Sequence, residues 1–155
     1  MTKTLLFLHL LFAFLFFSGA VAAGIAQLTA LRRDRPSEIA LLFRTARIGA
    51  LLATVTGLLA LVFGIWLVSD LDLDFGAAWI SASLGLWLAS MILGGLGGRT
   101  ARHARLLAER LAAEGDRPSD ELRGLVGHRP SLLLSYASTA AILAIIVLMV
   151  WKPGA

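Results

Sequence analysis

The chain has no cysteine, which excludes disulfides, thiolate metal sites and cysteine nucleophiles whichever compartment its loops face. Charge is scarce as well, with Asp, Glu, Lys and Arg together making up only 15% of the residues, well below the share a soluble domain carries. Histidine occurs three times, so imidazole chemistry is confined to His9, His103 and His128. The common catalytic signatures are missing too: there is no P-loop, no dinucleotide fingerprint, no H-E-x-x-H and no G-x-S-x-G elbow. Nothing in this pattern points to an enzyme.

What the chain has is apolar surface. Hydrophobic residues make up 58% of the sequence, and the mean hydropathy is +0.82. A helix crossing the ~30 Å hydrocarbon core needs about 20 mostly apolar residues. Four stretches meet that length, at about 5–31, 48–68, 75–96 and 132–151. The 155 residues suffice for these spans and little else. The expectation is an all-α protein, a four-helix transmembrane bundle forming a single integral membrane domain over 1–155.

Orientation follows from the arginines, because basic residues near helix ends stay on the cytoplasmic side. Five of them (Arg32, Arg33, Arg35, Arg44, Arg47) follow the first span, and seven lie between the third and fourth. The turn after the second span holds Asp70, Asp72 and Asp74 and no basic residue, and reads as a solvated cap. Segments 32–47 and 97–131 are therefore expected inside and both termini outside, in a bacterial inner membrane. Trp66, Trp79 and Trp151 fall near the outer boundaries, where amphipathic rings settle. The competing reading is a signal peptide cleaved near "GAVAAG". Against it, the apolar stretch continues to Leu31, and cleavage would place the first arginine cluster outside.

The inner segments contain strong helix formers. "GGRTARHARLLAERLAAEG" has no proline, so the third helix is expected to extend into the cytoplasm as far as Gly115. Ser119 is a candidate N-cap for a short helix, and Pro130 marks the restart into the fourth span. The tetrapeptide Asp-Arg-Pro-Ser occurs twice, at Asp34 and Asp116, once before the second span and once before the fourth. Two readings stand: duplication of one hairpin, or common capping chemistry used twice.

In lipid, helices associate by close packing over small residues and by interhelical hydrogen bonds rather than by hydrophobic force. Ala20 and Gly24 on the first helix, Gly49, Ala53 and Gly57 on the second, and Gly94 and Gly98 on the third recur every fourth residue and are the expected packing faces. Arg32, Arg33, Arg44, Arg47, Arg99, Arg102 and Arg105 are expected to reach lipid phosphates at the inner boundary, favouring anionic lipid there. No recognition motif or aromatic platform accompanies them, so nucleic acid is not the expected partner.

His9, within "FLHLLFAFLFFSG", is the one imidazole inside a span. It can hydrogen-bond a neighbouring helix or interfacial water, or it can handle protons. It can also ligate haem iron or copper, with Met149 at a similar outer depth as a conceivable partner and a second imidazole only from another chain.

The opening "FLHLLFAFLFFSGAVAAG", the second-helix "TGLLALVFGIWL" and the closing "ILAIIVLMVWKPG" resemble a bacterial family of predicted four-helix integral membrane proteins, domain of unknown function 2269, over nearly the whole chain. The ending from Met149 to Gly154 carries the most specific likeness. The first helix also resembles that of the copper-resistance D membrane proteins, in which a histidine near the start is followed by glycine about ten residues on, here His9 and Gly19; that likeness implies a copper or haem connection. The chain is shorter than that group and lacks further intramembrane histidines. The expected function is that of a small structural or accessory membrane protein, self-associating or docked on a larger complex and without a cofactor. The alternatives are a haem- or copper-binding component using His9, and an oligomeric transporter of a small solute or of protons.

Overall fold

The computed structural model describes residues 1–153; Gly154 of the closing motif lies outside them. Five helices account for the described chain: α1 (Thr2–Ala30), α2 (Pro36–Asp70), α3 (Ala78–Ala113), α4 (Asp120–Val126) and α5 (Arg129–Trp151). Four helical segments are long and apolar enough to cross a membrane. Both arginine-rich segments are helical for most of their length. Helix α2 begins at Pro36, twelve residues before its apolar stretch, and α3 continues past its own to Ala113.

The ends of these helices follow from local chemistry. Pro36 opens α2, where the amide hydrogen it lacks would have been unpaired in any case. Helix α3 ends at Ala113, just before Gly115, whose φ of 118° favours glycine, and Asp116 follows with φ 55°. The Asp116 amide closes the end by donating back to the Leu111 carbonyl at 3.0 Å. Ser119 caps α4, accepting from the Leu122 amide at 3.4 Å. His128 caps α5 by accepting from the Ser131 amide at 3.3 Å, again with proline in the first turn.

The helices pair as two hairpins. α1 packs along α2 and α3 along α5; α2 joins the pairs through α3, while α1 touches α5 only slightly. Three apolar clusters lie along this bundle. At the acidic-turn end, Val68, Trp79 and Ile80 are buried with Met149 against them. Phe16, Ala53 and Ile142 meet in the middle. The largest cluster, at the arginine-rich end, joins Ala30, Ile39, Ala40, Phe43, Ala104, Ala108, Leu122 and Val126 from four helices. Beyond the apolar spans the chain thus builds a small core like that of a soluble protein, with the short α4 as its lid. Trp79, expected near the outer boundary, is only 6% exposed because this cluster encloses it. Trp66 and Trp151 remain exposed.

Candidate functional site

The seam between α1 and α2 contains the intramembrane histidine. Both helices lean on small residues where they come closest. A Cβ added at Gly19 would stand 2.7 Å from the Gly49 carbonyl oxygen, and one at Gly49 would meet the Gly19 oxygen at the same distance. Contacts below 3.0 Å between such atoms are steric overlap, so only glycine fits either position. The remaining register follows from this crossing: Phe16 lies over Gly57, Phe12 stacks on Phe63 with ring centroids 5.5 Å apart, and Thr2 donates to Asp70 at 2.6 Å.

His9 belongs to the same seam. Its ring lies over Gly64, where a side chain would come within 3.0 Å of the imidazole, and Nδ1 is 2.9 Å from the Ala60 carbonyl oxygen. A carbonyl can only accept, so Nδ1–H is the donor in this bond. Met149 packs against Val68, Trp79 and Ile80. Among the described residues no group of three or more His, Cys, Asp or Glu side chains is placed to share a metal ion.

The second seam, α3 on α5, is built from serine and glycine. Ser131 donates to the Gly97 carbonyl at 2.7 Å and Ser138 to the Ser90 carbonyl at 2.8 Å. Ser135 fills the space where a Gly97 side chain would be, and the Ser138 hydroxyl lies over Gly94. Between the hairpins, the Trp87 indole donates to the Gly57 carbonyl at 3.1 Å. Among the described residues no buried side-chain nitrogen or oxygen lacks a partner.

These contacts redistribute the expected packing residues. Ala20, Gly49, Ala53, Gly57 and Gly94 lie in packed seams, but Gly24 and Gly98 have open space where a side chain would go. Their places are taken by Gly19 with Ala23, and by Gly97. The sequence contained this signal, since Gly19 and Ala23 have the same four-residue spacing as Ala20 and Gly24. Adjacent registers point about 100° apart on a helix, and only the partner helix selects between them.

At the arginine-rich end the two Asp-Arg-Pro-Ser copies come together. Asp116 of the second accepts from both the Ser37 amide and the Ser37 hydroxyl of the first, each at 2.7 Å. It thereby caps α2, whose own N-cap Arg35 makes no side-chain bond. In the other direction Arg123 donates to Asp34 at 2.8 Å. Identical tetrapeptides adopt different roles here: Pro36 and Ser37 already belong to α2, whereas Ser119 precedes α4 as its cap. Each copy takes its conformation from the helix that succeeds it in the chain and from the opposite copy.

The Ser37 hydroxyl and amide, bonding the carboxylate form, hold the Asp116 carboxyl below its ordinary range. Because the folded-state value is the lower one, the cap is fully present above the ordinary aspartate range and is lost as pH falls through the depressed value. Thermal unfolding of the detergent-solubilised protein should therefore show wild type losing its advantage over Asp116→Asn below about pH 4. A constant difference between the two proteins across that window would exclude the charged cap.

The arginines divide by partner. Arg44 and Arg105 both bond Glu109, at 2.8 and 2.9 Å, and hold its carboxyl below the ordinary range, the Arg44 bond contributing most. Arg33 pairs with Glu38 at 3.4 Å. Among the described residues Arg32, Arg47, Arg99 and Arg102 have no acidic partner within salt-bridge distance.

No curated protein and no solved structure matches the chain. A family match does cover nearly all of it, and agrees with four helices long and apolar enough to cross a membrane. Over residues 3–153 the chain matches, and so belongs to, the family of predicted integral membrane proteins (DUF2269).

Proposed function

We propose that the protein is a small non-enzymatic accessory component of a bacterial inner membrane. Both termini lie outside, and the arginine-rich end, including the extension of α3, lies in the cytoplasm against anionic headgroups. It works by association, with itself or with a larger membrane complex. The observation that carries this reading is where the polar groups of the spans are spent. His9, Trp87, Ser131 and Ser138 each bond a backbone carbonyl on a neighbouring helix. Groups used in this way stabilise a bundle rather than line a solute path. The tight glycines are occupied within one chain, so association uses other surfaces: the lipid-facing sides of α1 and α5 expose Phe7, Phe14, Leu133 and Val150.

A second reading has one observation in its favour. Metal-ligating histidines commonly donate their other ring N–H to a backbone carbonyl, as His9 Nδ1–H does to Ala60. Haem or copper held by His9, with an additional ligand such as Met149 or a second imidazole from another copy, is the resulting alternative, and the first-helix likeness to copper-resistance D proteins supports it.

One preparation separates the two. Protein from haem- and copper-replete cells is purified in mild detergent, and its oxidised and reduced spectra, metal content and molar mass by light scattering are recorded beside those of His9→Ala. The accessory reading expects a colourless, metal-free protein and a variant destabilised by about 0.6 kcal/mol, the average for interhelical hydrogen bonds in a membrane protein, and by no more than ~1.7 kcal/mol. A stoichiometric Soret band or bound copper that disappears in the variant would replace it with the ligand reading. A strictly monomeric species that also captures no membrane partner would argue against association.

A further inference from the structure

A cavity of about 540 Å³ opens where the apolar spans give way to the arginine-rich end. Gln27 of α1, Ala50 and Arg47 of α2, and Gly98, Arg102 and Arg105 of α3 are among its lining residues. The volume falls within the usual range for ligand sites, about 300–1,000 Å³. Its lining combines three guanidinium groups and an amide with phenylalanine, alanine and glycine.

The three arginines are not equivalent. Arg105 is held in place by Glu109, and its side chain is only 14% exposed. Glu109 also takes Arg44, so this carboxylate is already shared between two guanidinium groups. Arg47 and Arg102 have no acidic partner among the described residues and are exposed at the cavity mouth. The cavity therefore has an uncompensated positive charge, presented by planar forks that match phosphate oxygens.

Gly98 lines the cavity and has nothing within 4 Å of its absent side chain. Gly95, one turn back along α3, is open in the same way, as is Gly24, one turn from Gln27 on α1. Open space at Gly98 beside the arginines suits a molecule with an anionic head and a hydrocarbon tail.

We propose that this cavity is a binding site for the phosphodiester headgroup of an anionic phospholipid. Arg47 and Arg102 take the phosphate, while Arg105 and Gln27 act as fixed donors and an acyl chain lies along the open glycines. The inference rests on the reading that the arginine-rich end meets lipid headgroups, and narrows it from a diffuse surface to one site.

The test follows unfolding of the full chain in mixed micelles of mild detergent with dioleoyl-phosphatidylglycerol, with dioleoyl-phosphatidylcholine, or with inorganic phosphate at equal concentration. Three proteins are compared: wild type, Arg47→Ala/Arg102→Ala, and Arg32→Ala/Arg99→Ala, whose arginines lie outside the cavity. The expected result is saturable stabilisation by phosphatidylglycerol alone. It should be roughly thirtyfold weaker in the cavity variant, at about tenfold per 1.4 kcal/mol for two charges, and near wild type in the control. Equal weakening in both variants would overturn the site but leave the diffuse basic surface standing. No preference for phosphatidylglycerol in wild type would overturn both, and full stabilisation by inorganic phosphate would make the cavity a soluble-anion site. Circular dichroism of each variant confirms its helices, and exposed arginines without acidic partners are replaceable without loss of folding.

Discussion

Gly19→Ala is expected to destabilise the protein by ~1–3 kcal/mol, the usual cost of overfilling a packed interior, while Gly24→Ala five residues away leaves it unchanged or slightly more stable. The two substitutions add the same methyl group to the same helix. At Gly19 that methyl would stand 2.7 Å from the Gly49 oxygen and 2.8 Å from the Ala53 nitrogen, whereas at Gly24 nothing lies within 4 Å. The obstacle at Gly19 is backbone, which cannot rotate away as a side-chain end can. Relief requires the helices to separate, and separation weakens the dispersion contacts along the whole seam, from Thr2–Asp70 to Ala23–Gly49. In lipid no hydrophobic force compensates for that loss. Tryptophan fluorescence during denaturant titration in mild detergent would read the difference, and indistinguishable midpoints for the two variants would refute this crossing.

Leu122→Ala is expected to cost ~2–5 kcal/mol, the range for truncating a buried leucine. Leu122 is only 1% exposed, among Ala30, Ile39, Ala40, Phe43, Ala104 and Ala108. The seven residues of α4 are far too few to be helical alone in water, since isolated helices are marginal below about 12–15 residues. Their helicity depends on the Ser119 cap and on burying Leu122 and Val126. Removing the leucine side chain should therefore free α4 as well as lower the unfolding midpoint. Trypsin would report this directly as faster cleavage after Arg123, with Leu106→Ala as a control because Leu106 is 46% exposed. Unchanged cleavage would mean that α4 is held by its exposed contacts instead, the Arg123–Asp34 pair foremost.

The sequence was most readable where a single element answers to its own composition. The four apolar stretches, the helical character of both arginine-rich segments, the stop at Gly115 and the Ser119 cap depend on chain length, hydropathy and backbone chemistry within a few residues. Legibility ended where a second element had to choose. The apolar faces of α1 are nearly uniform around its circumference, so Gly19–Ala23 and Ala20–Gly24 looked equivalent until α2 took one and left the other. Trp79 matched the pattern of a boundary ring, but Val68, Ile80 and Met149 enclosed it.

The repeated Asp-Arg-Pro-Ser shows the same division within four residues. Local sequence determined that each copy would start a helix, because proline suits a first turn, as Pro36 does, and serine before a helix can accept its unpaired amides, as Ser119 does. Only the tertiary structure decided that Asp116 caps the helix of the other copy, because a cap needs a carboxylate within hydrogen-bond reach of the helix end, and distance in space is fixed by packing. The sequence likewise determined that this protein crosses a membrane, since about twenty apolar residues must be sheltered from water wherever they fold. The tertiary structure decided which glycines close the seams and which open the arginine-lined cavity, because in lipid the association of helices depends on close fit, and fit belongs to pairs of surfaces rather than to one.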